Sequence, residues 1–338
     1  MFLAKLSLGR QSESAIQDVH VTSVSVVIPA FNRASTIEQA VASACKQTRA
    51  PREVIVVDDA STDETAEIAR RAGARVVRLD SNRGCSSARN AGVQASDADA
   101  IAWLDSDDYW EPNHIATVAR LLDRFPEAAV ASSAVRLVGS RSGVWVGRIP
   151  EGPPTDVFRR AFFDWLSVPT STIIRREALL KVGGWAEGER YSSDFFLWMQ
   201  LARYYPFVCT YEVTANWRWH TGQLSSSQEK QWLARYRFRK IVLEQLQAGG
   251  DDERYEELAE LFRVIWANDL QWAWDEGRNG WLKELLKLSS LVPNAPADVH
   301  RRWAIRSRIP VLARPLLHEL SRLRRASFGG KRPAPERT

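Results

Sequence analysis

Ala100-Ile101-Ala102-Trp103-Leu104-Asp105-Ser106-Asp107-Asp108-Tyr109-Trp110 is an apolar run that ends in three carboxylates within four residues. The run reads as a buried strand, with the acids where it leaves the sheet. In extended chain, residues two apart point the same way. Asp105 and Asp107 are therefore expected to face one ligand together. Like charges this close repel unless a cation or a proton lies between them. A hard divalent ion sharing diphosphate oxygens as co-ligands would resolve the repulsion. An Asp-rich surface turn after a strand is the competing account.

The flanking sequence carries the same signal. Val24 to Pro29 is a strand closed by proline, and Thr36 to Ala44 has helical spacing with Ser35 as its cap. Glu53 to Val57 is a second strand, ending in Asp58-Asp59. Ser61 precedes Glu64 at capping-box spacing, opening a helix that runs to about Arg71. Val76 to Leu79 is a third strand, and Ser86 to Val93 a helical segment broken by glycine. After the strand at 100–104 comes a helix over roughly Pro112 to Phe125, then a strand opening at Ala129. This alternation predicts an α/β sandwich with a mostly parallel sheet. Ligands of such sheets bind beyond the carboxyl ends of the strands. Pro29 to Arg33, Asp58-Asp59 and Asp105 to Asp108 all lie at such ends, which implies one shared site. No glycine-rich dinucleotide fingerprint follows the first strand, and no Gly-Lys phosphate loop is present. Those absences argue against a classical dehydrogenase or nucleotide hydrolase.

The later chain reads differently. Residues 140–170 are rich in Gly, Pro and Trp and predict loops with short strands. Thr170 to Ile174 returns to strand pattern, and Arg176 to Val182 is a short helix stopped by Gly183-Gly184. Ser193 to Arg203 is helical, with Asp194 near its start, where the helix dipole alone would favour a carboxylate. Helices follow over Trp232–Leu246, Asp252–Trp274 and Trp281–Leu291, separated at Gly249-Gly250 and Asn279-Gly280. Beyond Pro293 the chain is basic. Arginines there flank an apolar stripe of Leu316, Leu317, Leu320 and Leu323, and the last residues from Phe328 carry a disordered composition. The stripe fits an anionic membrane surface and fits equally a helix packed on the protein. Arginine interleaved with tryptophan also occurs in nucleic-acid binders, but the leucines make nucleic acid an unexpected partner.

Of 338 residues, 45% are hydrophobic and 26% charged, an ordinary globular balance. The net charge of +5 favours anionic partners weakly. Cys45, Cys85 and Cys209 are widely spaced and form no metal motif, which predicts a reducing compartment. No run is long enough to span a bilayer, and no signal-peptide core opens the chain. The expected location is cytoplasmic, with a peripheral position at the inner face of the plasma membrane.

Taken in order, the motifs resemble those of the inverting glycosyltransferases of family 2, which have the GT-A fold. The resemblance covers roughly residues 23–225. Val26 to Arg33 resembles the opening strand and donor loop. Val56 to Asp63 is similar to the second signature, with Ala60 where glycine is usual. Asn82-Arg83-Gly84 with Ala88 to Gly92 resembles a third, and Leu104 to Asp108 resembles the metal motif. The resemblance implies a nucleotide-diphosphate sugar donor, most often a UDP-sugar, and a divalent cation, Mn²⁺ or Mg²⁺. It places Phe31 and Arg33 along the base and ribose and Asp58 at the base edge, with Pro29 in the donor-binding set. Asp105 would contact the ribose or diphosphate, and Asp107 would be the main protein ligand to the metal. Arg218 and His220 resemble a terminal segment in which the histidine approaches the diphosphate or metal. Arg89 joins the donor-binding set, although a buried, paired arginine is the plainer account of it. Ser193-Asp194-Phe195 aligns with the acidic pair that holds the family's base. Asp194 matches the base and Ser193 replaces the usual glutamate. Glu187 and Glu189 are the next carboxylates if Asp194 is not the base.

On the acceptor side, Trp145, Trp165, Trp185 and Trp198 could stack on sugar rings, though some must be core. The expected acceptor is a glycan or lipid-linked glycan of the cell surface. The expected division is a lead-in at 1–22, a GT-A catalytic domain at 23–227, a C-terminal helical extension at 228–292 and a basic amphipathic tail at 293–338. A nucleotidyltransferase and a non-catalytic membrane scaffold of the same fold are the alternatives.

Overall fold

A computed structural model describes residues 21–220 and 228–308. The expected lead-in before residue 21, the leucine stripe at 316–323 and the end from Phe328 lie outside the described residues. The chain forms two compact units. The described residues of the first, a sheet unit, fall within Met1–Val157, Leu166–Arg190 and Leu201–His220. Those of the second, a helical unit, fall within Phe158–Trp165, Tyr191–Gln200 and Thr221–Thr338.

The sheet unit opens with β1 (Val24–Ala30), α1 (Ile37–Cys45), β2 (Glu53–Asp58), α2 (Thr65–Arg71), β3 (Arg75–Arg78), α3 (Cys85–Ala95) and β4 (Ala100–Trp103). Then come β5 (Tyr109–Trp110), α4 (His114–Arg124), β6 (Val130–Gly139) and β7 (Gly143–Trp145). In the helical unit, α5 (Phe158–Phe163) follows; β8 (Thr172–Arg175) and α6 (Arg176–Lys181) return to the sheet unit. After α7 (Ser193–Ala202), β9 (Phe207–Trp219) completes the sheet.

The nine strands run in the order β3-β2-β1-β4-β8-β6-β9-β5, with β7 paired to β6. All seven residues of β1 and all four of β4 are buried, as continuous apolar runs at a sheet centre require. The expectation of a mostly parallel sheet needs correction, because the sheet is mixed. The pairings β1/β2, β1/β4, β2/β3 and β6/β9 are parallel. The pairings β4/β8, β5/β9, β6/β7 and β6/β8 are antiparallel. Helical crossovers link the first four strands and keep them parallel. Beyond β4, the chain inserts β8 in the opposite direction between β4 and β6. Strand order cannot be read from a local pattern, so the sequence exposed only the parallel half.

Parallel register brings the carboxyl ends together. Ala30 of β1 sits opposite Asp58 of β2, and Val27 opposite Trp103 of β4.

The helical unit adds α8 (Gln228–Ala248), α9 (Asp252–Asp275), α10 (Asn279–Lys287) and α11 (Ala297–Arg306). Its core joins Phe262 to Phe162 at 6.0 Å and to Tyr236 at 5.2 Å between ring centres. Arg239 is buried there and donates from Nε to the Phe162 carbonyl and from Nη2 to that of Phe163. Burial pushes its guanidinium down to about 10, so this cation is held by carbonyls and ring faces rather than by water. The helix α11 lies in what reads as the basic tail. Its Trp303 is buried 6.2 Å from the ring of Trp274, so this part of the tail packs on the protein. Among the described residues, no helix is long and apolar enough to cross a membrane.

Candidate active site

At the end of β1, Asn32 turns the chain with φ +51°. Its Oδ1 accepts from Thr62 N at 2.8 Å, and its own N donates to Ser61 Oγ at 2.9 Å. The first two motifs therefore hold each other. Pro29 is buried in the strand. Phe31 beyond it is 41% exposed. Arg33 Nη1 folds back onto the carbonyls of Phe31 and Asn32 at 3.3 and 3.2 Å.

Asp58 is fully buried; its Oδ1 accepts from Ser61 N at 3.1 Å, and Arg78 Nη1 lies 3.0 Å from Oδ2 as an ion pair. Asp59 is also buried, and clamps the third motif by accepting Arg83 N at 2.7 Å and Gly84 N at 2.8 Å. Between this loop and Ser61, Ala60 is held at φ +61°, in the left-handed region that an L side chain disfavours.

The three acids after β4 diverge. Asp108 N donates to the Asp105 carbonyl at 3.0 Å, so the segment is a turn and not an extension of the strand. Strand alternation thus does not align Asp105 with Asp107, contrary to the extended reading. Asp105 Oδ1 accepts from Arg89 Nη2 at 2.6 Å. Arg89 is buried, and its guanidinium lies 4.0 Å from the ring centre of Trp185. Asp107 Oδ2 lies 3.0 Å from His220 Nε2. Asp108 is buried and accepts from Thr170 Oγ1 at 2.5 Å and from Arg218 N at 2.8 Å. Burial, then the charges of Asp107 and Asp105, hold the Asp108 carboxyl well above the usual range. Asp108 is thus the residue that ties this turn to the start of β8 and the end of β9, a role the sequence did not separate from its neighbours. Arg218 Nη2 donates to Gln39 Oε1 at 2.7 Å.

Among the described residues, no group of three or more His, Cys, Asp or Glu is arranged to hold a metal ion. The available donor set is one carboxylate and one imidazole, Asp107 and His220. That set fits a hard or intermediate cation whose remaining ligands are phosphate oxygens and water.

Glu187 is engaged within the sheet unit. It accepts from Asn90 Nδ2 at 3.0 Å, Ser87 Oγ at 2.9 Å and Arg83 Nη2 at 3.1 Å. The Asn90 and Ser87 hydrogen bonds hold its carboxyl below the usual range. Glu189 Oε1 accepts from Arg190 N at 3.0 Å.

Asp194 belongs to the helical unit, in the first turn of α7. Its Oδ2 accepts from the indole Nε1 of Trp165 at 2.7 Å, and its Oδ1 from Phe195 N at 2.9 Å. Trp165 thus serves as a hydrogen-bond donor through its indole edge. Of the other expected sugar-stacking rings, Trp185 is 1% exposed and Trp198 0%, so both are core. Trp145 is half-buried, 6.2 Å from Trp217.

Residues 25–183 match the profile of Glycosyl transferase family 2. An uncharacterized glycosyltransferase of Rickettsia prowazekii is 27% identical over 217 residues, which cover 62% of this chain and 68% of that one. The Escherichia coli protein named UDP-Glc:alpha-D-GlcNAc-diphosphoundecaprenol beta-1,3-glucosyltransferase WfaP is 28% identical over 219 residues, 62% of this chain and 82% of its own. Among solved structures, residues 1–349 of S. aureus TarS in complex with UDP-GlcNAc share the fold. The TM-score is 0.64 at 19% identity, over 80% of this chain and 82% of that one. By its matched motifs and its relatives, the chain is a glycosyltransferase similar to those of family 2, which transfer a sugar from a nucleotide-sugar donor, and the match to the family profile spans residues 25–183.

Proposed function

We propose that this enzyme transfers a sugar from a uridine diphosphate sugar to an acceptor hydroxyl in one displacement, with inversion. The observation that carries the reading is the acid turn after β4, where Asp107 meets His220 and Asp105 meets Arg89. The nucleotide would lie along Phe31 and Arg33, with Asp58 at the base edge. Pro29 shapes that loop, and Arg89 keeps Asp105 in place. Asp107 and His220 would hold a divalent cation, Mn²⁺ or Mg²⁺, which when bound supplies positive charge to the departing diphosphate. Asp194 takes the proton of the acceptor hydroxyl as its oxygen bonds to the anomeric carbon. The bond from that carbon to the diphosphate oxygen breaks, and its electron pair leaves with the diphosphate. A single base with no enzyme nucleophile makes the product inverted.

The names of relatives support the donor and acceptor classes. WfaP is named for UDP-Glc and a diphosphoundecaprenol-linked acceptor, and TarS was solved with UDP-GlcNAc. An acceptor on a cell-surface glycan or its lipid-linked precursor follows, with Trp145 as the surface ring left to meet it. Action at the cytoplasmic face of the membrane, with the basic tail as contact, is part of the same proposal.

The test is direct. UDP-glucose and UDP-GlcNAc are titrated against the protein with Mn²⁺, and transfer is followed by the anomeric proton of the product. A β-linked product from an α-linked donor is expected. Retained configuration would refute the single displacement, and failure to bind either donor or free UDP would refute the donor class.

A further inference from the structure

We propose that Arg235 of α8, acting with Trp165, is a positioning residue for Asp194, so that the helical extension sets the geometry of the transfer base. The proposal rests on Asp194 being that base. Every residue it uses lies within the helical unit.

Asp194 is preceded by a strained turn. Ser192 has φ +52°, an unfavourable conformation for a residue with a side chain. Contacts from α8 compensate. Ser192 Oγ lies 3.1 Å from the Gln231 carbonyl and 2.5 Å from Gln231 Oε1, and Arg235 Nε donates to the same Oγ at 3.4 Å. One turn further, α8 supplies a second cation. The guanidinium carbons of Arg235 and Arg239 lie 5.2 and 5.1 Å from the ring centre of Phe195, the residue after Asp194. Arg235 also stands 5.9 Å from the ring of Trp165, whose indole N–H holds Asp194 Oδ2. The same guanidinium therefore bonds to the turn before the base and faces both the ring after it and the ring of its hydrogen-bond donor.

Charge adds to the geometry. Burial lowers the Arg235 pKa below its ordinary value, and the carboxylates of Asp194 and Asp164 act to raise it. A cation desolvated beside a carboxylate interacts with it more strongly than one in water. Since a misplacement of about 1 Å can cost up to about 10²-fold in rate, a turn held this way has consequences for turnover.

The full chain, ¹⁵N-labelled at tryptophan, is compared with Arg235→Met, Arg235→Lys, Trp165→Phe and Asp194→Asn. Trp165→Phe identifies the Trp165 indole signal. Arg235→Met should shift that signal toward its position in Asp194→Asn. UDP binding should stay within about twofold, while UDP release from UDP-glucose or UDP-GlcNAc falls at least about tenfold, as expected for a displaced base. Arg235→Lys should recover part of the rate, and guanidinium added to Arg235→Met should do the same; a purely packing role predicts neither. If Arg235→Met does not fold, Arg235→Lys decides by the same two readouts and Trp165→Phe by the rate alone. An unmoved Trp165 signal with a rate per bound donor within twofold of wild type overturns the proposal. If the wild type binds neither donor nor free UDP, the proposed donor class fails, and the indole signal alone decides the positioning.

Discussion

Asp194→Asn separates a base from a helix-start residue, and the contacts of Asp194 give the size of each effect. The asparagine carbonyl can still accept the Trp165 indole N–H now bonded to Oδ2. Its amide nitrogen must then stand where Oδ1 accepts Phe195 N, placing two donors face to face. Losing that bond costs about 0.5–1.5 kcal/mol. Removing a charge from the first turn of α7 adds about 0.3–1 kcal/mol. The expected stability loss is therefore about 1–2.5 kcal/mol, read as a shift in denaturant midpoint. The catalytic loss is larger, since general base catalysis supplies about 10²–10⁴-fold, or roughly 3–5 kcal/mol of barrier. Donor binding should stay near wild type, because the proposed donor residues belong to the sheet unit. The assay measures the UDP dissociation constant and single-turnover release of UDP from the active donor on both proteins. A rate within about threefold of wild type would refute the role, because no general base is lost so cheaply. Glu189 would then be tested next, ahead of Glu187, whose carboxylate already holds three donors.

Asp107→Ala should weaken Mn²⁺-supported UDP binding by at least about tenfold while the fold survives, and EDTA should reproduce that loss in the wild type; equal binding with and without metal would remove the cation from the mechanism. Ala60→Gly should leave activity intact and raise stability by up to about 1 kcal/mol, since relief of about 1–2 kcal/mol of left-handed strain at φ +61° exceeds the added chain entropy; a destabilised variant would show that the Ala60 methyl is needed for packing. His114 is fully buried, stacked 4.2 Å from Trp110 with Nδ1 2.8 Å from Thr214 Oγ1, and burial pushes its pKa down to about 3 from an ordinary 6.5. The unfolded chain takes up a proton below pH 6.5 that the fold refuses, so stability is complete above 6.5 and falls as pH drops toward about 3. Denaturant midpoints should thus show a loss of roughly 2 kcal/mol by pH 5 at about 1.4 kcal/mol per unit, and His114→Gln should flatten that slope whatever its absolute stability; parallel slopes would refute the assignment.

The candidate donor residues could be singled out from sequence because they sit at strand ends, where local patterns speak plainly. An apolar run followed by an acid marks both a strand and its exit, and register follows once the strands are parallel. Asp58, Asp105 and Asp107 became candidates in this way. The acid turn was misread in one respect. Hydrophobic periodicity gives the strand up to Trp103, but not the Asp105–Asp108 turn that sends the three carboxylates to three different partners.

Sequence alone determined the α/β class, the family motifs and the identity of the candidate acids, because each depends on residues close in the chain. Tertiary structure decided the rest. Direction in the sheet beyond β4 depends on β8 lying between β4 and β6, with both of its neighbours pairing antiparallel to it. Which tryptophans remain at the surface depends on packing: Trp185 and Trp198 are core, while Trp165 offers its N–H to Asp194. The support of Asp194 comes from α8, 39 residues away at the Ser192–Gln231 contact. No local pattern encodes such a contact, because a polar residue on a helix looks the same whether it faces water or a partner brought by the fold.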